Sequence, residues 1–123
     1  MRIDIINNST TPIYQQLHDQ IAAQIITGEL SKNEPLPPIR TLAKDLRISI
    51  ITVKKAWELL EKEGLIKTMV GRGSFVGDLS SSEIADKKAE KLTARMKKEI
   101  AYYQQMGLSL PEYIAWLSSI WDQ

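Results

Sequence analysis

Catalysis needs side chains that ionise, attack or ligate in groups, and such groups are scarce in this chain. Its 123 residues include no cysteine and a single histidine, His18. His18 sits at the edge of an apolar helical stripe, with nothing near it in sequence to complete a constellation, so it is given no role. No paired carboxylates accompany a nucleophile or a metal partner. An enzyme, a metal site and a cofactor are therefore not expected. What the chain does concentrate is positive charge. Arg40, Lys44, Arg47, Lys54 and Lys55 are opposed over residues 40–55 only by Asp45, and Glu58, Glu61 and Glu63 follow soon after. The net charge is only +1, but a local cluster can serve a polyanion, because phosphate neutralisation supplies much of nucleic-acid binding.

Two of those cations, Lys54 and Lys55, lie on a helix whose two ends are both marked, over residues 49–64. Ser49 suits the N-cap, where its hydroxyl accepts from a free backbone N–H, and Gly64 suits the left-handed position that closes a helix. At about 100° per residue, Val53, Ala56, Trp57 and Leu60 share one stripe, while Ile51, Lys55, Glu58 and Lys62 fall opposite. Ile51 is thus expected in the open and Ile50 half-buried on the flank. An exposed isoleucine close to two lysines is poorly suited to a solvated surface, yet it fits insertion into a DNA major groove with the N-terminal end reading. Double-stranded DNA is the expected partner.

The elements that position this helix follow along the chain. Alternation in Arg2-Ile3-Asp4-Ile5 predicts a short strand before the turn at Asn7-Asn8-Ser9. Pro12 opens a core-packing helix carrying Ile13, Leu17, Ile21 and Ile25, which Gly28 stops. Prolines 35, 37 and 38 forbid helix over 30–38 and allow an extended edge segment. Ile39, Leu42, Ala43 and Leu46 give one face of a two-turn helix, and Arg47-Ile48-Ser49 is a tight corner, so this helix and the next form a helix-turn-helix. Residues 65–70 and 74–76 have strand character around the turn Gly71-Arg72-Gly73, a hairpin with an arginine at its tip. A hairpin directly behind a helix-turn-helix makes a winged helix. The lysines at 87, 88, 91, 97 and 98 are taken as the solvated face of a long helix.

That long helix follows the polar connector 78–82. Ile84, Ala85, Ala89, Leu92, Met96, Ile100 and Tyr103 keep helical spacing over about five to six turns, up to Gly107. Ser109 and Glu112 form a capping box for a last helix bearing Tyr113, Ile114, Trp116, Leu117, Ile120 and Trp121. Two isolated helices cannot hide that much apolar surface. A second copy of the hairpin is the simplest cover, because C2 self-association is the commonest oligomeric solution. Leu92, Met96, Ile100, Tyr103, Ile114, Leu117, Ile120 and Trp121 are the expected dimerisation residues. The fold class is α+β, with a winged helix-turn-helix DNA-binding domain over 1–78 and a helical dimerisation hairpin over 79–123. No run approaches the ~18 apolar residues of a membrane span, and no signal-peptide core follows Met1. A soluble cytoplasmic protein without membrane partners is expected.

Ile13-Tyr14, Gln16-Leu17, Gly28-Glu29-Leu30, Leu36-Pro37, Arg40-Thr41-Leu42-Ala43, Leu46, Thr52-Val53, Ala56, Leu60, Gly64-Leu65-Ile66 and Gly71-Arg72-Gly73-Ser74-Phe75-Val76 together resemble the GntR family of bacterial transcription regulators. The two-helix tail around Gly107-Leu108-Ser109 is similar to the YtrA-type subfamily. The resemblance implies phosphate and base contacts at Arg40, Ser49, Thr52, Lys54, Gly71 and Arg72. Ile50, Ile51 and Lys55 join these from the helix's own exposed face. The chain departs from the family at Pro38, often serine, and at Ile50, often arginine. The resulting expectation is a homodimeric regulator, a repressor in the first instance, on an inverted-repeat operator. The chain ends too early for the aminotransferase-like domain that some relatives carry. Any small-molecule effector would need a pocket between hairpin and first domain or across a dimer. The rival is a winged helix used for protein contact through Ile50, Ile51 and Trp57, which gel shifts at two salt concentrations distinguish from specific DNA binding.

Overall fold

In the computed structural model, which describes residues 1–123, the chain forms α1 (Ile13–Ile26), α2 (Ile39–Leu46), α3 (Ile50–Lys62), β1 (Ile66–Met69), β2 (Gly73–Val76), α4 (Ser81–Gln105) and α5 (Leu110–Ile120). It divides into two compact units, Met1–Ala85 and Asp86–Gln123. The expected junction at 78/79 thus lies before the observed one, which falls inside α4. The reason is packing: Leu79 and Ile84, beyond the polar connector's start, rest against the core of the first unit.

That core is built where three helical stripes meet. Leu17, Ile21, Ala22 and Ile25 of α1, Leu42 and Ala43 of α2, and Val53, Ala56, Trp57 and Leu60 of α3 are all buried, joined by Leu30, Leu36, Leu65, Ile66 and Val76. Each large side chain so buried is worth about 1.5–3 kcal/mol, and Trp57, Leu17, Ile21 and Leu60 are among the largest. Pro12 is the N-cap of α1 and Gly28, at φ +85°, lies just past its end. The prolines of 30–38 behave as the sequence requires. Pro35 bridges Phe75, flanked by Leu36 N–H to Ser74 O (2.9 Å) and Val76 N–H to Glu34 O (2.8 Å). The segment is an extended edge beside β2, with the N–H-less residue where no ladder donor is needed.

The strand expected over residues 2–5 is not formed. The segment is extended, but its hydrogen-bonding partner is a row of side chains rather than a backbone. Gln16, Gln20 and Gln24, spaced one helical turn apart on α1, each offer an amide to one residue of the arm. Gln20 accepts from Asp4 N–H (2.8 Å) and donates to Asp4 O (2.7 Å). Gln16 does the same for Ile6 (2.8 and 2.9 Å) and Gln24 for Arg2 (3.4 and 2.6 Å). Alternation still governs the arm, since Ile3 packs on the core while Arg2 and Asp4 are exposed.

The wing is a two-stranded antiparallel ladder with Ile66 opposite Val76 and Met69 opposite Gly73. It is seated on the end of α3 at a glycine. Gly77 donates its N–H to Leu65 O at 2.8 Å, and a β carbon at Gly77 would lie 2.4 Å from the Gly64 carbonyl oxygen. Only hydrogen fits there.

In the second unit α4 and α5 form a helical hairpin. Gly107, at φ +78°, follows the end of α4, and Ser109 and Glu112 form the expected capping box at α5. The bonds from Ser109 hold the Glu112 carboxyl below its ordinary value. A hydrogen bond to the nearby Glu99 carboxylate raises the Tyr103 hydroxyl above its own. The Tyr103 and Tyr113 rings are 5.5 Å apart. No side chain of either helix is fully buried. Leu92, Met96, Ile100, Ile114, Ile120 and Trp121 are exposed, whereas Tyr103 and Leu117 are half-buried. Tyr103 therefore spends part of its apolar surface inside the hairpin, on Tyr113.

Candidate nucleic-acid interface

The corner that presents α3 is three residues long. Arg47 takes the left-handed conformation (φ 56°, ψ 46°) as C-cap of α2, a strained setting that most side chains avoid. Ile48 N–H returns to Ala43 O at 3.0 Å. Ser49 is then the N-cap of α3, its hydroxyl accepting from Thr52 N–H at 3.0 Å and lying 2.7 Å from the Thr52 hydroxyl. Of the two hydroxyl protons, one serves that mutual bond and one is left for an outside acceptor such as a phosphate oxygen.

Beyond the cap, α3 is two-faced. Ile51 is 78 % exposed and Ile50 40 %, while Val53 and Ala56 are completely buried. Lys54 and Lys55 are exposed. The Lys55 ammonium stands 3.9 Å from the centroid of the Tyr14 ring on α1. Trp57 is only 2 % exposed, so it cannot serve the protein-contact surface considered above. Arg40 is exposed in the first turn of α2, behind the N-cap Pro38, which supplies no side-chain cap. Arg40, Lys44, Arg47, Lys54 and Arg72 are all exposed, and the ion pairs of the chain involve other cations, Arg2, His18 and Lys32. None of α1, α2 and α3 has an acidic residue in its first turn, whereas α4 and α5 have Glu83 and Glu112. The positive ends of the first three helix dipoles are left unopposed, a setting that favours anions.

At the wing tip, Arg72 N–H closes a turn on Met69 O at 2.9 Å, with Gly71 at φ +75° and Gly73 at φ +98°. Val70 beside them is fully exposed. No hydrogen bond ties this tip to α3, but the strand behind it is tied: the Thr68 hydroxyl donates to Glu61 of α3 and bonds Ser74 across the ladder. Lys67 is committed elsewhere, donating to Asn33 Oδ1.

An exposed helix start with unpaired cations, an aliphatic side chain in the open and a hairpin with an arginine at its tip belong to the winged helix-turn-helix class of DNA-binding transcription regulators. Residues 13–76 match the family of bacterial regulatory proteins known as the gntR family, and the chain belongs to it. It is 30 % identical over 118 residues to the HTH-type transcriptional repressor YtrA of Bacillus subtilis (strain 168), covering 96 % of this chain and 91 % of that one. Among solved structures, a transcriptional antiterminator from Listeria monocytogenes EGD-e aligns with TM-score 0.78 at 28 % identity, over 100 % of this chain and 91 % of the other. AraR(DBD) in complex with operator ORE1 aligns with TM-score 0.52 at 25 % identity, over 63 % of this chain and 94 % of that one. No helix is long and apolar enough to cross a membrane.

Three features escape a reading of the residues alone. Tyr14 lies in the α1 stripe and gives no sign in sequence that it meets Lys55. The Gln16, Gln20 and Gln24 row is legible as a spacing, but not as a clasp on the arm. His18, left without a role, is the only buried polar side chain. It bonds Glu63, the C-cap of α3, through Nε2 and Asp19 through Nδ1 (2.9 Å), so it is a structural tie between α1 and α3.

Proposed function

We propose that this regulator acts as a homodimeric repressor in the cytoplasm, binding an inverted-repeat operator with one α3 entering each of two major grooves. The observation that carries the DNA side is the division of α3 into a buried face and a face bearing exposed Ile51 and unpaired Lys54. Arg40, Ser49, Ile50, Ile51, Thr52, Lys54 and Lys55 form the groove-facing surface, and Gly71 and Arg72 place the wing on the flanking backbone. Likeness to the operator-bound AraR domain supports the same mode of approach. Half-sites of an inverted repeat need two recognition helices at a fixed separation. The exposed Leu92, Met96, Ile100, Ile114, Ile120 and Trp121 supply the means of holding them so. The unit Met1–Ala85 is assigned to DNA and Asp86–Gln123 to self-association, with repression following the assignment of the YtrA relative.

Two measurements test this. Gel shifts on duplexes selected by the protein from a randomised pool should show specific complexes that weaken steeply with salt. Sedimentation should show a dimer that becomes a monomer on Ile100→Glu with Ile114→Glu. A double variant that still dimerises, or a wild-type monomer at micromolar concentration, removes the hairpin from the account.

A further inference from the structure

Lys55 differs from Arg2, Lys32 and Lys67 in the kind of partner that holds it. Arg2 is paired with Asp4, Lys32 with Asp78, and Lys67 with the side-chain amide oxygen Oδ1 of Asn33. In each case an acceptor takes up the donor. Lys55 instead rests on an aromatic face, with its ammonium 3.9 Å from the Tyr14 centroid. Glu58, three residues along the same helix face, is placed for an ion pair, yet the structure forms none between them. An ammonium has three N–H donors. A ring held by its negative quadrupole occupies one side of that group and neutralises no charge. The lysine is thus oriented while its full charge and its outward donors stay available.

Orientation without neutralisation favours a phosphate contact. A free lysine must be ordered when DNA arrives, and a salt-bridged one must first give up its carboxylate. We propose that Tyr14 is a positioning residue for DNA binding, its ring holding the Lys55 ammonium where a backbone phosphate takes it up. The inference rests on the reading that the exposed face of α3 meets DNA. It adds a contribution from α1, a helix whose other role is to fill the core.

The test uses the full chain and two probes: a random-sequence duplex and a duplex selected by the wild-type protein. Affinities would be measured over a series of salt concentrations, with thermal melts run alongside. Lys55→Ala should lower the salt slope by about one. Tyr14→Leu should weaken binding about two- to fivefold, the range a surface cation–π contact corresponds to. Tyr14→Phe, which keeps the ring, should bind as the wild type does, and Tyr14→Leu should add nothing when Lys55 is already alanine. Replacing Tyr14 by pentafluorophenylalanine keeps the shape and removes the negative face, so it should match Tyr14→Leu even if the leucine variant folds poorly. The proposal is overturned if Tyr14→Phe weakens binding as much as leucine does, which would make the hydroxyl the contact. It is overturned equally if the loss persists in the Lys55→Ala background, or if the fluorinated ring binds normally. A wild-type chain that binds neither duplex would instead refute the placing of α3 on DNA.

Discussion

Ile51→Ser separates folding from reading. Burying a whole isoleucine is worth about 1.5–3 kcal/mol. With 78 % of Ile51 exposed, only about a fifth of that, roughly 0.3–0.7 kcal/mol, is at stake in the fold. For a unit of this size that corresponds to a fall in Tm of at most about 5 °C. On DNA the same side chain can distinguish bases only by shape and by contact with a thymine methyl in the major groove. Losing such a contact should cost ~1–3 kcal/mol, about 5- to 150-fold in affinity. Competition binding against the selected operator should therefore show a large affinity loss with little change in melting. Preference for A·T should relax at one symmetric pair of positions. Replacing the thymine there by uracil deletes only the methyl and should reproduce the loss with the wild-type protein. If uracil at every half-site thymine leaves wild-type binding unchanged, Ile51 reads no methyl group and the reasoning fails.

Arg40→Ala, Lys54→Ala and Arg72→Ala should each weaken operator binding and lower the salt slope by about one where the contact is to phosphate, while melting stays near wild type; three variants with wild-type affinity would refute the site. Gly77→Ala forces a β carbon to 2.4 Å from the Gly64 carbonyl oxygen, which is backbone and cannot turn aside. Overpacking of that kind costs about 1–3 kcal/mol or more, so chemical denaturation should show a clear loss, and an unchanged midpoint would contradict the described seating of the wing. Glu112 is held below 4.5 by bonds from the Ser109 backbone and hydroxyl. A carboxyl lowered in the folded state contributes stability above its unfolded value, and that contribution is lost as pH falls through the folded one. The α5 N-terminus should therefore loosen only in acid below the ordinary glutamate range. Ser109→Ala deletes the hydroxyl bond and keeps the backbone N–H, so by NMR the Glu112 midpoint should rise part of the way to its ordinary value, and an unmoved midpoint would rule out the hydroxyl's share.

Much of this protein is local in its determinants, and those parts were legible along the chain. Helix periodicity placed Val53, Ala56, Trp57 and Leu60 inside and Ile51 outside, because a helix turns by a constant angle whatever surrounds it. Ser49 and the Ser109–Glu112 box marked helix starts, Gly64 and Gly107 marked ends, and the prolines of 30–38 excluded helix, all through interactions spanning a few residues. What tertiary structure alone decided depended on residues far apart in sequence. The arm at 2–6 had the alternation of a strand, but pairing is a property of whatever lies alongside, and alongside lay the amides of Gln16, Gln20 and Gln24. The end of the first unit moved past the polar connector because Leu79 and Ile84 found apolar surface to cover. Tyr14 and Lys55, separated by about half of the first unit, meet only because α1 packs on α3. Periodicity can say which side chains share a face; which face of another element they touch is set by packing, and no local rule carries that information.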